Sequence, residues 1–147
     1  MTARAVITII LALSYFLLPR YGFTETPDLN HWLYPFSHAN IWHLLANIVC
    51  LWMIRTDLNL LLSYIISVFC SFLPCFISEP TCGFSGVLFA MVGIAWGKVH
   101  RFKDMVWRNK WFLFIPIFIP HVNALLHLYC MLLGYLFGRY YPKKIVL

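Results

Sequence analysis

Long apolar stretches separated by short polar ones run along the whole chain. They predict six helical segments, at about residues 5–19, 40–54, 58–78, 84–99, 111–120 and 124–141. A helix that crosses a membrane needs roughly 20 apolar residues, so several segments predict short or tilted spans. The fifth segment, WFLFIPIFIP, contains Pro116 and Pro120 and predicts a short, broken helix.

The composition indicates the class of protein. Hydrophobic residues make up 62% of the 147 residues, and charged residues only 11%. A soluble domain of this size needs more charge on its surface, so the composition predicts an integral membrane protein with one compact domain over residues 1–147. The amino-terminal run is similar to a signal peptide. Because no small-residue cleavage site clearly follows it, we interpret it as the first membrane helix.

The basic residues predict the orientation in the membrane. With a cytoplasmic amino terminus and six crossings, all eleven Lys and Arg residues except Arg20 fall on the cytoplasmic side. This pattern predicts that both termini are cytoplasmic. It also explains the formal charge of +6 as cytoplasmic flanking charge, so we expect no nucleic-acid partner. On the outer side, Trp32 and Tyr34 are predicted to lie in the interfacial aromatic belt.

Polar side chains stand at the outer ends of segments two, four and six. They are His43, Asn47, Ser85, Asn123 and His127. Such groups are costly in lipid, so we expect them to face one common site inside the bundle. The small residues of GIAWG and GYLFG predict a close approach of segments four and six. That approach would bring Ser85 within hydrogen-bond reach of His127.

The pattern supports the hypothesis of a serine nucleophile. A histidine near its reference pKa of about 6.5 can take the proton of Ser85, and no carboxylate is expected near this site inside the membrane. Attack on an amide would form an oxyanion that His43, Asn47 and the backbone N–H of Ser85 could stabilise. The simpler alternative is that Ser85 caps or packs its helix and that the other groups make contacts between helices.

The motifs resemble those of the rhomboid intramembrane serine proteases. HANIWHLLAN in segment two, GFSG at the start of segment four, and His127 with Gly134 seven residues later carry the resemblance, which covers about residues 35–140. It implies a compact all-α bundle of six transmembrane helices. It implies Ser85 as nucleophile and His127 as general base, with His43, Asn47 and Ser85 forming the oxyanion hole. Supporting positions are Gly83, Gly86 and Phe89; Phe89 stands where the family often has tyrosine, and its ring can still stack on His127.

The resemblance also implies transmembrane protein substrates cut near the outer membrane face, without metal or cofactor. We expect a multi-pass protein of a bacterial cytoplasmic membrane, and the sequence indicates no particular oligomeric state. One alternative is an inactive rhomboid-like adaptor that binds transmembrane helices. Another is a metal or proton pathway that uses four histidines, His38, His43, His121 and His127.

Overall fold

The computed structural model describes residues 2–17, 20, 22–54, 59–74, 80–99, 103–104, 107, 110 and 122–140. Within these ranges the named α-helices are α1 Ala3–Leu17, α2 Asn30–Leu33, α3 Ile41–Met53, α4 Leu60–Ser71, α5 Ser85–Val99 and α6 Ala124–Tyr140. A 3₁₀ turn, Tyr34–Phe36, follows α2, and Phe23 forms an isolated antiparallel bridge with Thr81. The all-α class predicted from the sequence is confirmed for these residues.

Five of the six predicted segments correspond to α1, α3, α4, α5 and α6. The fifth segment, 111–120, lies outside the described residues. The short helix α2 lies between the first two predicted segments, where we predicted no helix. Helix α4 ends at Ser71, before the predicted 78, because Pro74 disfavours the helical conformation in the residue before it and has no N–H to donate. Among the described residues, no helix is both long enough and apolar enough to cross a membrane.

Helix α5 is the central helix of the bundle. Its residues from Val87 to Met91 are buried without interruption, and since five consecutive helical residues point in all directions, α5 is covered on every side. One apolar cluster fills the space between α4, α5 and α6, and a second fills the space between α1, α3 and α5. Helix α5 therefore packs against two separate cores.

Helices α5 and α6 touch through their backbones. A Cβ atom added at Gly93 would overlap the Met131 carbonyl oxygen, and one added at Gly134 would overlap the Ala90 carbonyl oxygen. Gly97 and Gly138 pack in the same way. These contacts confirm the close approach predicted from GIAWG and GYLFG. Because the paired positions increase together along the two helices, α5 and α6 run parallel and begin at the same end of the bundle.

Polar contacts join α1 and α3 at the end of the bundle opposite to the starts of α5 and α6. The Arg4 side chain, near the start of α1, donates to the carbonyl of Ile54 just after α3, at 2.5 Å. Trp52 Nε1 donates to Thr8 Oγ1 at 3.1 Å, so α1 and α3 are antiparallel. We call the end at which α3, α5 and α6 begin the site end.

The outer surface of the bundle is strongly apolar. Large apolar side chains are exposed on α1, α3, α4 and α6, among them Phe16, Trp42, Leu61 and Phe137. A single exposed apolar side chain is ordinary on a soluble protein, but exposure on four helices leaves a broad apolar surface. Such a surface suits a lipid environment.

Candidate active site

Ser85 and His127 meet at the site end. Ser85 is the first residue of α5, and His127 lies in the first turn of α6. The Nε2 atom of His127 is 2.8 Å from the Oγ of Ser85, which is hydrogen-bond distance. Ser85 is half-buried and His127 is buried. Since the two parallel helices begin side by side, residues 42 positions apart in sequence come into contact.

The His127 ring is held by an apolar neighbour. Phe89, one turn after Ser85, stacks on it with ring centroids 4.2 Å apart and planes 4° from parallel. The buried Nδ1 atom of His127 has no hydrogen-bond partner among the described residues. When Nε2 of the neutral ring accepts the hydrogen bond of the Ser85 hydroxyl, the ring N–H is on Nδ1. In the described part of the chain, packing by Phe89 therefore orients this histidine without a bonded carboxylate.

Two asparagines start the helices that carry the histidines. Asn40 is the N-cap of α3, and its side-chain oxygen accepts the backbone N–H of His43 at 2.9 Å. Asn123 Oδ1 accepts the N–H of Leu126 at 3.0 Å, while its Nδ2 donates to Thr81 Oγ1 at 3.1 Å. We predicted Asn123 as a member of the polar cluster. The structure instead shows it capping α6 and tying that helix to the loop before α5.

His43 and Asn47 border the backbone just before Ser85. Gly83 adopts a φ of 113°, in the left-handed region that favours glycine. A Cβ atom there would lie 2.5 Å from Cε1 of His43 and 3.6 Å from Nδ2 of Asn47. The buried Asn47 amide donates to the His43 carbonyl at 2.9 Å and has a second N–H. Gly83 thus makes room for the His43 ring next to Ser85, with the Asn47 amide in ordinary contact distance.

A buried hydroxyl pair lies behind Gly86. The hydroxyl of Tyr34 hydrogen-bonds the hydroxyl of Ser67 on α4, and a Cβ atom at Gly86 would lie 2.7 Å from the Tyr34 hydroxyl oxygen. Our prediction of Tyr34 in an interfacial belt is wrong, because the side chain is fully buried. Its hydroxyl has a partner on α4, which removes the main cost of burying a tyrosine. The Tyr34 carbonyl also accepts the N–H of Gly83, at 2.9 Å.

A second buried pair of polar side chains joins α2 to α4. Nδ1 of His31 is 2.9 Å from Oγ of Ser71, and both side chains are buried. The sequence analysis did not identify either of these buried pairs. The signal that could have revealed them is the spacing of Ser63, Ser67 and Ser71, which places three hydroxyls on one face of an apolar helix.

The histidine and cysteine side chains form no evident metal centre in the described part of the chain. There, no group of three or more His, Cys, Asp or Glu side chains could hold a metal ion. Of the four histidines in the metal or proton pathway, His121 lies outside the described residues. Cys50, Cys70 and Cys82 form no disulfide within the described residues, and burial raises the pKa of the Cys82 thiol.

Residues 29–144 match the family model of the Rhomboid domain. The chain belongs to the rhomboid family. It is accordingly a membrane protein, and either an intramembrane protease of the rhomboid type or an inactive relative of one. Rhomboids generally act on transmembrane substrates within the bilayer. No curated protein matches the chain.

The residues predicted for the site of this rhomboid all lie within the family match. The structure brings them to one end of the bundle, where three helices begin. They are Ser85, His127, His43, Asn47, Gly83, Gly86 and Phe89. The arrangement contains a hydroxyl bonded to an imidazole, with further N–H donors beside the same stretch of backbone.

Proposed function

We propose that this rhomboid is an active serine endopeptidase that hydrolyses peptide bonds of transmembrane substrates near the outer membrane face. Ser85 is the nucleophile and His127 is the general base. The 2.8 Å approach of Ser85 Oγ to His127 Nε2 is the observation that carries the proposal. A serine whose only role was helix packing would not need an imidazole nitrogen at this distance.

The first half of the reaction forms an acyl-enzyme. As Ser85 Oγ attacks the carbonyl carbon, its proton passes to Nε2 of His127, and the carbonyl oxygen becomes an oxyanion. When the tetrahedral intermediate collapses, the C–N bond breaks and the protonated His127 gives its proton to the leaving amine. The acyl group remains esterified to Ser85.

His43, Asn47 and the backbone N–H of Ser85 stabilise the oxyanion in this proposal. Two observations support it: both side chains border Gly83, and the N–H of Ser85, as the first residue of α5, needs no partner within the helix. The helix dipole also favours negative charge at this point. Removal of one such donor typically lowers kcat by about 100- to 1,000-fold.

Water completes the cycle. His127 takes a proton from a water molecule that attacks the ester carbonyl, and the second tetrahedral intermediate collapses with return of that proton to Ser85 Oγ. The products are a carboxylic acid and the free enzyme. Each step uses only the side chains and backbone groups named above together with water.

We also propose the arrangement in the membrane. The domain over residues 1–147 crosses six times, in a bacterial cytoplasmic membrane, with both termini cytoplasmic and the site end at the outer face. The positions of the basic residues support this orientation. The parallel course of α5 and α6 agrees with it, since the chain has to return between them to start α6 at the same end.

A serine-reactive fluorophosphonate probe tests the nucleophile. The purified wild-type protein should be labelled, and Ser85→Ala should not be. His127→Ala should be labelled far more slowly, because the hydroxyl has lost its base. Ser14→Ala, which removes a half-buried serine of α1, is the matched control and should be labelled like the wild type.

Cleavage of a panel of transmembrane substrates completes the test. Wild type and Ser14→Ala should release products that Ser85→Ala does not release. Labelling that persists in Ser85→Ala would exclude Ser85 as the nucleophile. A well-folded wild-type protein that neither reacts with the probe nor cleaves any substrate would instead be the inactive adaptor.

A further inference from the structure

Two histidines lie side by side where the chain enters α3. His38 stands two residues before the N-cap Asn40, and His43 lies in the first turn of the helix. Their ring centroids are 5.2 Å apart and their planes differ by 68°. This is an edge-to-face arrangement, in which the polar edge of one ring meets the π face of the other. The His43 ring is half-buried, whereas His38 is only 1% exposed.

The polarity of His38 is unexplained by packing. Neither ring nitrogen has a hydrogen-bond partner among the described residues, although both are buried. Buried polar atoms without partners lower stability, and a phenylalanine would fill similar space without that loss. An imidazole at this position is therefore costly to the fold, and its one close aromatic contact in the described part of the chain is with His43.

His38 is a neutral ring at physiological pH. Burial, with a smaller contribution from the nearby His43, lowers the pKa of His38 to about 4. The Phe36 backbone, near the ring but outside hydrogen-bond geometry, acts in the opposite direction. A neutral imidazole adds no positive charge next to His43. It can act on that ring only through contact and through the polarity of its edge.

Gly83 and Asn47, which lie near the His43 ring, belong to the site itself. Gly83 leaves no room for a Cβ atom beside Cε1 and Nε2 of His43, and the Asn47 amide borders the same glycine. His38 thus also contacts the His43 ring, but it belongs neither to the proposed dyad nor to the proposed oxyanion donors. A small rotation of the His43 ring would turn its N–H away from the oxyanion, and catalysis is sensitive to such misplacement.

We propose that His38 is a positioning residue whose contact with the His43 imidazole holds that ring in the orientation that directs its N–H at the oxyanion formed on Ser85. This inference rests on the proposed function, since it assigns a role within that reaction. His38 itself touches neither substrate nor the reacting atoms. Its effect should pass entirely through His43.

The substitution His38→Phe keeps a ring and removes both nitrogens. We expect kcat to fall by about 10-fold while KM changes little, because an oxyanion donor acts in the transition state and not in substrate binding. His43→Ala should lower kcat by about 100-fold or more. In the double variant, His38→Phe should cause no further loss, since there is no His43 ring left to position.

Comparison with a second buried histidine separates positioning from stability. His31, in α2, is also buried, and it stacks on Phe72 with ring centroids 4.2 Å apart. His31→Phe should lower the melting temperature, because it removes the hydrogen bond to Ser71, and should leave kcat of the folded protein unchanged. His38→Phe should instead lower kcat without lowering the melting temperature. If His38→Phe does not fold, His38→Gln provides the second variant, and it should lower kcat in the wild type but not in His43→Ala.

The outcomes distinguish the two proposals. If the wild type is active, two results overturn the positioning role but not the proposed protease activity. In the first, His38→Phe has a normal kcat; in the second, it lowers kcat equally with and without the His43 ring. A wild type without labelling or cleavage overturns the proposed function, and the role of His38 with it.

Discussion

Phe89 lies flat against His127, with the two ring centroids 4.2 Å apart and the planes 4° from parallel. The two residues come from the two helices whose backbones are in contact, so the stack is a product of the α5–α6 packing. In a serine–histidine–aspartate site a carboxylate bonded to the second imidazole nitrogen fixes the orientation of the ring. In the described part of this chain an aromatic face is what restrains it.

Loss of the aromatic face should therefore misplace the base. Phe89→Leu removes the stack while keeping the position apolar, and we expect kcat to fall by about 10- to 100-fold. Phe89→Tyr, the matched control, keeps the ring and should retain activity close to that of the wild type. Rates of fluorophosphonate labelling measure both variants at equal folded fraction. Equal rates in Phe89→Leu and the wild type would show that the stack does not orient His127.

A single methyl group between α5 and α6 should be poorly tolerated. Gly134→Ala adds a Cβ atom that overlaps the Ala90 carbonyl, so the helices have to separate or distort. Overpacking of this kind typically costs about 1–3 kcal/mol. We expect a lower melting temperature and slower labelling of Ser85, with larger effects for Gly134→Leu and Gly93→Leu. Leu136→Ala, at a half-exposed position on the same helix, should change neither measurement, and a normal Gly134→Leu would contradict the close packing.

The stability of the protein should depend on His38 in mildly acidic solution. The pKa of His38 is about 4 in the folded protein and about 6.5 when the chain is unfolded, so the unfolded state binds more protons between these values. Above pH 6.5 His38 is neutral in both states and does not lower the free energy of unfolding. As the pH falls towards 4, protonation of the unfolded chain lowers the free energy of unfolding. The full effect is on the order of 3 kcal/mol.

His38→Phe removes this titration. The melting temperature of the variant, measured relative to the wild type in the same detergent, should rise as the pH is lowered from 7 to 4. A difference between His38→Phe and the wild type that stays constant with pH would contradict the burial of a neutral His38.

Both ends of the chain should be found on the cytoplasmic side. Cysteines or reporter fusions introduced at residues 3 and 145 should be protected from membrane-impermeant reagents added outside the cell. A cysteine introduced at residue 29, in the loop of the site end, should react, because Leu29 is 76% exposed. Labelling at residue 145 from outside would contradict the six-crossing arrangement.

The parts of the fold that follow local rules were predictable from the sequence. Gly93 and Gly134 stand in small-residue patterns on apolar helices, and in lipid such patterns have few other uses. Ser85 and His127 could be paired in advance because polar groups are expensive at that depth and must share an interior site. In each case the physical constraint acts within one helix or at one depth of the membrane.

The parts that depend on distant partners were not predictable. Burial of Tyr34 and His31 requires Ser67 and Ser71, which lie more than thirty positions away along the chain, at separations of 33 and 40 residues. No periodicity in the segment 20–39 indicates such pairing. The role of Asn123 was not predicted for a different reason. Its side chain lies at a helix start and accepts a backbone N–H there, so its hydrogen bonding is satisfied locally.

The glycine contacts along α5 and α6 also restrict how the two helices can slide. One turn of a helix rises about 5.4 Å, so an axial slip of one turn would take the 2.8 Å contact between Ser85 and His127 far beyond hydrogen-bond range. Backbones that interlock at four glycines cannot slip in this way unless they first lift apart. The glycine contacts along α5 and α6 set the register of the two helices, and that register fixes the distance between Ser85 and His127 at the site end.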